Sequence, residues 1–269
     1  LHLAAENEQR LSELPELCGR CKEPRIVEFI FLLSEKWHLD QSARYQAVEL
    51  LERFLLKQVE QQREPCQGSS WSCVGEQTVS TSVLRLVSCV QLASKLSLHY
   101  SRVTSDTALK FLQSLKYSYT KQELLESELA VLNTLHFHIN LPTPLAYVEL
   151  LLEVLGHNGC PIPAKPLHPV CVQLLDFCYL TRETIYDTLL RIAIENSTPS
   201  ELQVTKFLRV KEDFMLLAVG IISTGVFILS PGHWEQVVEH LNCITGITPQ
   251  SILEFSYAVL TGVVGSTTP

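Results

Sequence analysis

The 269-residue sequence contains few of the residues that interrupt regular structure, and few cationic ones. Only 11 glycines and 13 prolines are present, while 46% of the residues are hydrophobic, a composition that excludes a disordered, collagenous or low-complexity chain. Lysine and arginine number 21 against 29 acidic residues, which leaves a formal net charge of −8. A protein that holds nucleic acid by itself needs surplus cations to neutralise phosphates. No direct binding of nucleic acid is therefore expected.

The sequence also lacks several informative patterns. It contains no motif of the common serine hydrolases, P-loop proteins, zinc proteases or dinucleotide-binding enzymes. A site assembled from distant residues leaves no such trace, so this absence argues only against the common enzyme classes. No catalytic residue and no cofactor is predicted from these patterns. The longest apolar run, residues 214–229, is shorter than the roughly 20 residues that span a bilayer, so we predict a buried helix and no membrane association.

Apolar residues recur at helical spacing along the whole chain, and no Val/Ile/Thr alternation with hairpin turns predicts a strand. Ile26, Ile30, Leu33 and Trp37, for example, lie at intervals of four, three and four. Residues 78–95 are apolar around nearly the whole helical circumference, which is typical of a central helix packed on every side. The predicted fold class is all-α.

A Leu-Pro-Thr-Pro stretch at residues 141–144 interrupts the helical pattern. Proline cannot continue a helix and restricts the residue before it, so we place a domain boundary there. The predicted organisation is an N-terminal helix with a linker, a first helical domain and a second helical domain, over residues 1–22, 23–140 and 141–269.

Candidate metal ligands are sparse. Cys18 and Cys21 form a Cys-x-x-Cys pair, but a structural zinc site needs four ligands. The sequence contains no second such pair that would supply the other two. His136 and His138 could share one face of an extended segment, yet no third ligand lies near them in sequence. Solvent-facing histidines around a buried Phe137 are the favoured interpretation. We therefore predict no metal site.

Two segments, taken in order, carry a family resemblance. Residues 84–95 read LRLVSCVQLASK, residues 119–139 read YTKQELLESELAVLNTLHFHI, and the Leu-Pro-Thr-Pro stretch follows. This order resembles the cyclin box. In that family a central apolar helix ends in Ala-Ser-Lys, a second helix opens with Tyr-Thr-Lys and contains a glutamate, and Pro-Thr-Pro follows. The resemblance implies two consecutive cyclin-box-like five-helix bundles preceded by a short N-terminal helix.

The same resemblance implies a partner-binding surface. Cyclins are not enzymes, so the resemblance implies a non-enzymatic protein. They bind and activate a kinase by pressing on its regulatory helix with a lysine and a glutamate set in an apolar surface. By position in the motif, Lys95 is the matching lysine and Glu128 the matching glutamate, and the alternative for them is an ordinary solvated pair. Apolar anchors supply most of the affinity of such a surface, while charges fix its register. The anchors implied here are Leu96, Leu132, Phe137 and Ile139, although Leu132 and Phe137 could equally be core residues.

Departures from the family pattern leave the partner open. Cyclins usually follow Ala-Ser-Lys with two acidic residues, where this chain has Leu96, Ser97 and Leu98. Residues 62–82 and 195–210 are predicted to be insertions relative to compact cyclin boxes, and loops of this kind are candidates for other contacts. The partner is either a cyclin-dependent-type kinase or a recombination factor held by a scaffold that activates no kinase. A DNA-associated factor of cyclin fold is a further alternative, which the net charge opposes.

The resemblance to cyclin-like proteins of this group also implies a cellular role. That role is the maturation of crossover intermediates in meiotic recombination, carried out through protein partners. The expected location is the nucleus, with the cytoplasm left open. Composition and periodicity do not bear on this role.

Overall fold

The structure is a computed structural model that describes residues 2–14, 22–63, 75–97, 103–160, 162, 164–194 and 199–265. Within these residues it contains α-helices, a single 3₁₀ turn and no strand, which confirms the all-α prediction. The helices are α1 (His2–Ser12), α2 (Pro24–Lys36), α3 (Gln41–Arg63), α4 (Gly75–Leu96), α5 (Ser105–Ser114), α6 (Lys121–Thr134), α7 (Pro144–His157), α8 (Ala164–Leu180), α9 (Arg182–Ala193), α10 (Glu201–Lys211), α11 (Phe214–Leu229), α12 (Trp234–Thr245) and α13 (Pro249–Gly265).

The chain divides into two compact units. The first unit is Arg20–Leu141 and contains α2 to α6. The second unit combines Leu1–Gly19 with Pro142–Pro269, so α1 belongs with α7 to α13. The residues predicted to be a separate N-terminal helix and linker are thus shared between the two units.

The central helix of the first unit is α4, which packs against α3 and α6. Val87, Val90 and Ala93 on this helix are completely buried. Small side chains let α6 come close, since the hydroxyl oxygens of Ser88 and Ser127 lie 2.7 Å apart. The close approach fixes the position of α6 relative to the end of α4.

The second unit has the same kind of close contact between small side chains around α11, which packs against α7, α8 and α13. The hydroxyl oxygens of Ser223 and Ser256 lie 2.9 Å apart. Gly220 faces the buried ring of Phe255 so closely that an added Cβ would lie 2.2 Å from the ring Cδ1 atom. The backbone of α11 is therefore in direct contact with a side chain of α13.

Polar contacts hold α1 on the second unit near the start of α11. The Asn7 Oδ1 atom accepts a hydrogen bond from the Phe214 backbone N–H at 3.2 Å. The Arg10 guanidinium lies 3.4 Å from the centroid of the Phe214 ring, and its Nη1 atom lies 3.6 Å from Oε2 of Glu212. Arg182 donates to the other carboxylate oxygen of Glu212. Two cations thus compensate one buried carboxylate, which would be costly to bury alone.

The predicted loop over residues 62–82 is wrong at both ends. Helix α3 continues to Arg63 and α4 already begins at Gly75. Serine and threonine lower helix stability by only a few tenths of a kcal/mol each, roughly, so the packing of α4 outweighs them. The middle of this segment lies outside the described residues.

A helix that the apolar pattern does not predict, α10, occupies most of the second predicted insertion. Its N-terminus carries a capping box in which Ser200 and Gln203 satisfy each other's backbone N–H groups. Helix α11 begins at Phe214, where the apolar run begins, because the Asp213 side chain accepts a hydrogen bond from the Leu216 backbone N–H in the first turn.

Helix α11 is a buried core helix, as its composition predicts. Its residues 217–226 are all buried. Among the described residues no single helix is long and apolar enough to cross a membrane. The α10–α11 pair reaches that length and composition only when its two helices are taken together, and they are bent by 71°.

We predict that Gly220→Ala lowers the free energy of unfolding by about 2 kcal/mol, because the new methyl group overlaps a buried ring. Gly156→Ala on α7 is the matched control, since no atom lies within 4 Å of its added Cβ. Alanine should raise helix stability there by up to about 1 kcal/mol. Urea unfolding measures both changes, and equal stabilities for the two variants would contradict the packing described here.

Candidate partner-binding site

The structure brings Lys95 and Glu128 together. Lys95 lies in the last turn of α4, and its Nζ atom is 2.6 Å from Oε1 and 2.8 Å from Oε2 of Glu128 on α6. The Glu128 side chain is 7% exposed, whereas that of Lys95 is 42% exposed. The carboxylate is therefore buried beneath the ammonium group. A partner would meet the lysine first.

The register of α6 is set at its N-terminus. Thr120 and Glu123 form a capping box, in which the Thr120 hydroxyl accepts from the Glu123 backbone and the Glu123 carboxylate accepts from the Thr120 backbone. The backbone N–H of Thr120, followed by its hydroxyl, holds the pKa of Glu123 below its usual range. The cap fixes the residue at which α6 begins, and the contact of Ser127 with Ser88 orients the helix so that Glu128 faces α4.

Phe137 lies on a strained turn that follows α6. Its side chain is 63% exposed, and the backbone φ angles of His136 and Phe137 are +48° and +61°. Residues with a Cβ atom rarely adopt this left-handed region, and such strain persists only where the surroundings enforce it. The backbone N–H of Phe137 closes the turn by donating to the Leu132 carbonyl at 2.8 Å. The turn projects an aromatic ring into solvent, so the prediction that Phe137 is buried between the two histidines is wrong.

Two side chains of α3 hold the residues that follow Phe137. The Arg53 guanidinium donates to the His138 carbonyl, and the Gln46 amide donates to the Ile139 carbonyl. Arg53 and Gln46 are two helical turns apart on one face of α3, so they hold the extended segment at two successive positions. We refer to these two residues as the α3 clamp.

An apolar stripe on α6 continues the surface. Leu125, Leu129 and Leu132 lie at positions i, i+4 and i+7, and the first two are 43% and 51% exposed. The buried face of this helix is formed by Leu124, Ser127, Glu128 and Val131. The motif comparison identified Leu132 and missed Leu125 and Leu129, although their heptad-like spacing outside the buried face could have revealed them. We call these three leucines the α6 stripe.

The other anchors implied by the sequence are less exposed. Leu96 and Ile139 are each half-buried, and Leu96 directly follows the exposed lysine on α4. Next to it, the Ser97 hydroxyl donates to Oδ2 of Asp40. The role of all six residues in binding stays a prediction.

Cysteines and histidines contribute no competing site within the described residues. No group of three or more His, Cys, Asp or Glu residues is placed there to hold a metal ion. Cys18 and Cys21 lie outside the part of the chain that the structure describes, and His136 and His138 are exposed. Burial raises the pKa of three core thiols to about 12, those of Cys89, Cys171 and Cys178. These thiols are neutral packing groups.

We predict that Arg53→Ala loosens the turn around Phe137. Loss of a charged donor to a backbone carbonyl should lower the free energy of unfolding by about 1.5 kcal/mol and accelerate amide hydrogen exchange over residues 136–139. Lys57→Ala is the control on the same helix, since its exposed pair with Glu60 contributes little. If both variants exchange at the same rate in this turn, the α3 clamp does not hold it.

Comparison with known proteins agrees with this geometry. The family model for the cyclin N-terminal domain matches residues 6–140, a range that includes Lys95, Glu128 and Phe137. Cyclin N-terminal domain-containing protein 1 of Mus musculus and that of Homo sapiens are each 58% identical over 278 residues. Each alignment covers 100% of this chain and 83% or 84% of the relative, respectively.

The fold matches a solved cyclin structure as well. A viral cyclin from herpesvirus saimiri superposes with a TM-score of 0.56 and 15% identity, over 97% of each chain. At that identity the superposition shows a shared fold alone. The family model covers half of the chain and the two mammalian relatives cover all of it, so the chain belongs to the cyclin family.

Proposed function

We propose that this chain is a non-enzymatic regulatory subunit that binds a cyclin-dependent-type kinase. Members of the cyclin family are regulatory rather than catalytic, and cyclins typically bind kinases. The observation that carries the proposal is the surface of the first unit, where exposed apolar side chains adjoin a bidentate lysine–glutamate pair. Its components are Lys95, Glu128, the α6 stripe and Phe137.

The apolar part of this surface supplies the affinity. An exposed phenylalanine ring gains about 2 kcal/mol when a partner covers it. The strained turn and the α3 clamp hold the ring in one place before binding, so little side-chain entropy is lost when it docks. The leucines of the α6 stripe extend the contact along one helix, so that the surface can accommodate the apolar face of a partner helix.

The charged part of this surface fixes the position of the partner along it. The ammonium group of Lys95 has three N–H donors, and Glu128 accepts two of them. The third is available to a carboxylate or a backbone carbonyl of the partner. Because Glu128 is buried and already bonded, it acts mainly by keeping the lysine extended in one direction. The partner must therefore place an acceptor at the edge of an apolar helix.

A second candidate function is favoured by Ser97. Two residues after Lys95, at a position where cyclins usually carry an acidic residue, the chain has Ser97, whose hydroxyl donates to Asp40. The alternative is a scaffold of cyclin fold that binds recombination factors and activates no kinase. In either case we place the chain in the nucleus and in the maturation of meiotic crossovers, the role that its sequence resemblance implies.

We predict that Phe137→Ala and Leu129→Ala each weaken co-purification with the responsive member of a panel of cyclin-dependent kinases by about 30-fold. The matched control is Tyr257→Ala, which removes an equally exposed ring from the second unit. Phosphorylation of a generic substrate is measured in the same samples. Binding with phosphorylation supports the kinase subunit, and binding without it supports the scaffold.

The double variant Lys95→Glu, Glu128→Lys separates binding from folding. It preserves an internal ion pair and should leave the thermal unfolding midpoint unchanged, while it presents a carboxylate in place of an ammonium group. We expect kinase binding to fall by about tenfold or more. Unchanged binding by this variant, or the absence of binding to any kinase of the panel, refutes the kinase proposal.

A further inference from the structure

Helix α10 is fixed to the second unit on one side only. Of its side chains that the structure describes, Phe207 is the one that is buried, with its ring 6.4 Å from that of Tyr186 in an edge-to-face arrangement. The capping box at Ser200 satisfies the first backbone N–H groups locally. The aromatic anchor is joined by contacts at the C-terminal end, where Arg182 donates to the Lys211 carbonyl and Lys211 lies near Glu183. The first two turns of the helix are mostly exposed.

The side of α10 opposite Phe207 combines one large apolar residue with two cations. Leu202, Lys206 and Arg209 lie at positions i, i+4 and i+7 and therefore share one helical face. Leu202 is 64% exposed. Lys206 and Arg209 are exposed and form no ion pair with the described residues, whereas Lys211 lies 3.5 Å from Glu183. We call the face formed by Leu202, Lys206 and Arg209 the α10 face.

The charge of this face is opposite to that of the chain. The whole sequence carries a net charge of −8, yet α10 contains three basic residues and a single acidic one, Glu201. Two copies of a cationic face repel each other, which opposes self-association through α10. A nucleic-acid backbone could meet the cations, but it would leave Leu202 uncovered, and the net charge opposes its approach. An acidic protein segment satisfies both features.

The geometry points to α10 as a docking helix for an acidic segment of a partner protein. Carboxylates of that segment lie against Lys206 and Arg209, and an apolar side chain covers Leu202. The α10 face belongs to the second unit, whereas Lys95 and Glu128 belong to the first, so this inference does not rest on the kinase proposal.

The test uses the full chain and a fluorescent synthetic peptide of about 16 residues, with Leu and Glu at helical spacing. We expect saturable binding by fluorescence anisotropy, an affinity that falls as salt is raised, and no binding of the same peptide with Lys for Glu. Lys206→Glu combined with Arg209→Glu should weaken binding by about tenfold or more. Leu202→Ser should weaken it while leaving the net charge unchanged.

Lys165→Glu combined with Arg191→Glu is the matched control, because it changes the net charge equally at two exposed residues of α8 and α9. This control should bind the acidic peptide as the unmodified chain does. Absent binding, an equal loss in the control, or preferred binding of duplex DNA overturns the inference. So does a dimer in sedimentation equilibrium that the α10 double variant dissociates, since the occupant would then be a second copy. Kinase co-purification by the α10 variant should be unchanged, which keeps the two proposals separable.

Discussion

The close approach of α4 and α6 is the constraint on which the first unit depends. Ser88 and Ser127 are small enough for the two helices to come within hydroxyl contact. Lys95 lies two helical turns after Ser88, and Glu128 directly follows Ser127, so the packing that joins the hydroxyls also joins the ammonium group to the carboxylate. The charged part of the candidate surface is therefore an extension of the core, whereas Phe137 lies on the turn that follows α6.

The second unit repeats this packing without repeating the charged pair. Ser223 and Ser256 make the equivalent contact between α11 and α13. Two turns after Ser223 the chain has Ser230, and the residue that follows Ser256 is Tyr257. The helix arrangement is preserved, while the chemistry at the end of the central helix is not. The second unit therefore does not repeat the charged part of the candidate surface, and the inferred contact on α10 uses a different helix.

Local patterns in the sequence predict the helices, because helical spacing is a property of neighbouring residues. Lys95 and Glu128 were implied by the resemblance to the cyclin box and not by local spacing. Local patterns do not predict that Phe137 is exposed on a left-handed turn. That turn depends on Arg53 and Gln46, which lie 85 and 93 positions away from the carbonyls they bind. Contacts over such separations leave no periodicity. Helix α10 was missed for another reason, since its cap is visible in the sequence but its exposed residues hide the apolar pattern.

The attachment of α1 determines the order in which the second unit can fold. Asn7 and Arg10 bind residues that follow them by more than 200 positions. During synthesis α1 emerges before the other helices described here. Its docking surface forms only after residues 212–214 have been made. Contacts of such long sequence separation form slowly, because their loop-closure entropy is lost before they become favourable. The first unit, whose residues are contiguous, can complete its core while the second is still open. The two units of this cyclin therefore complete their folding at different times.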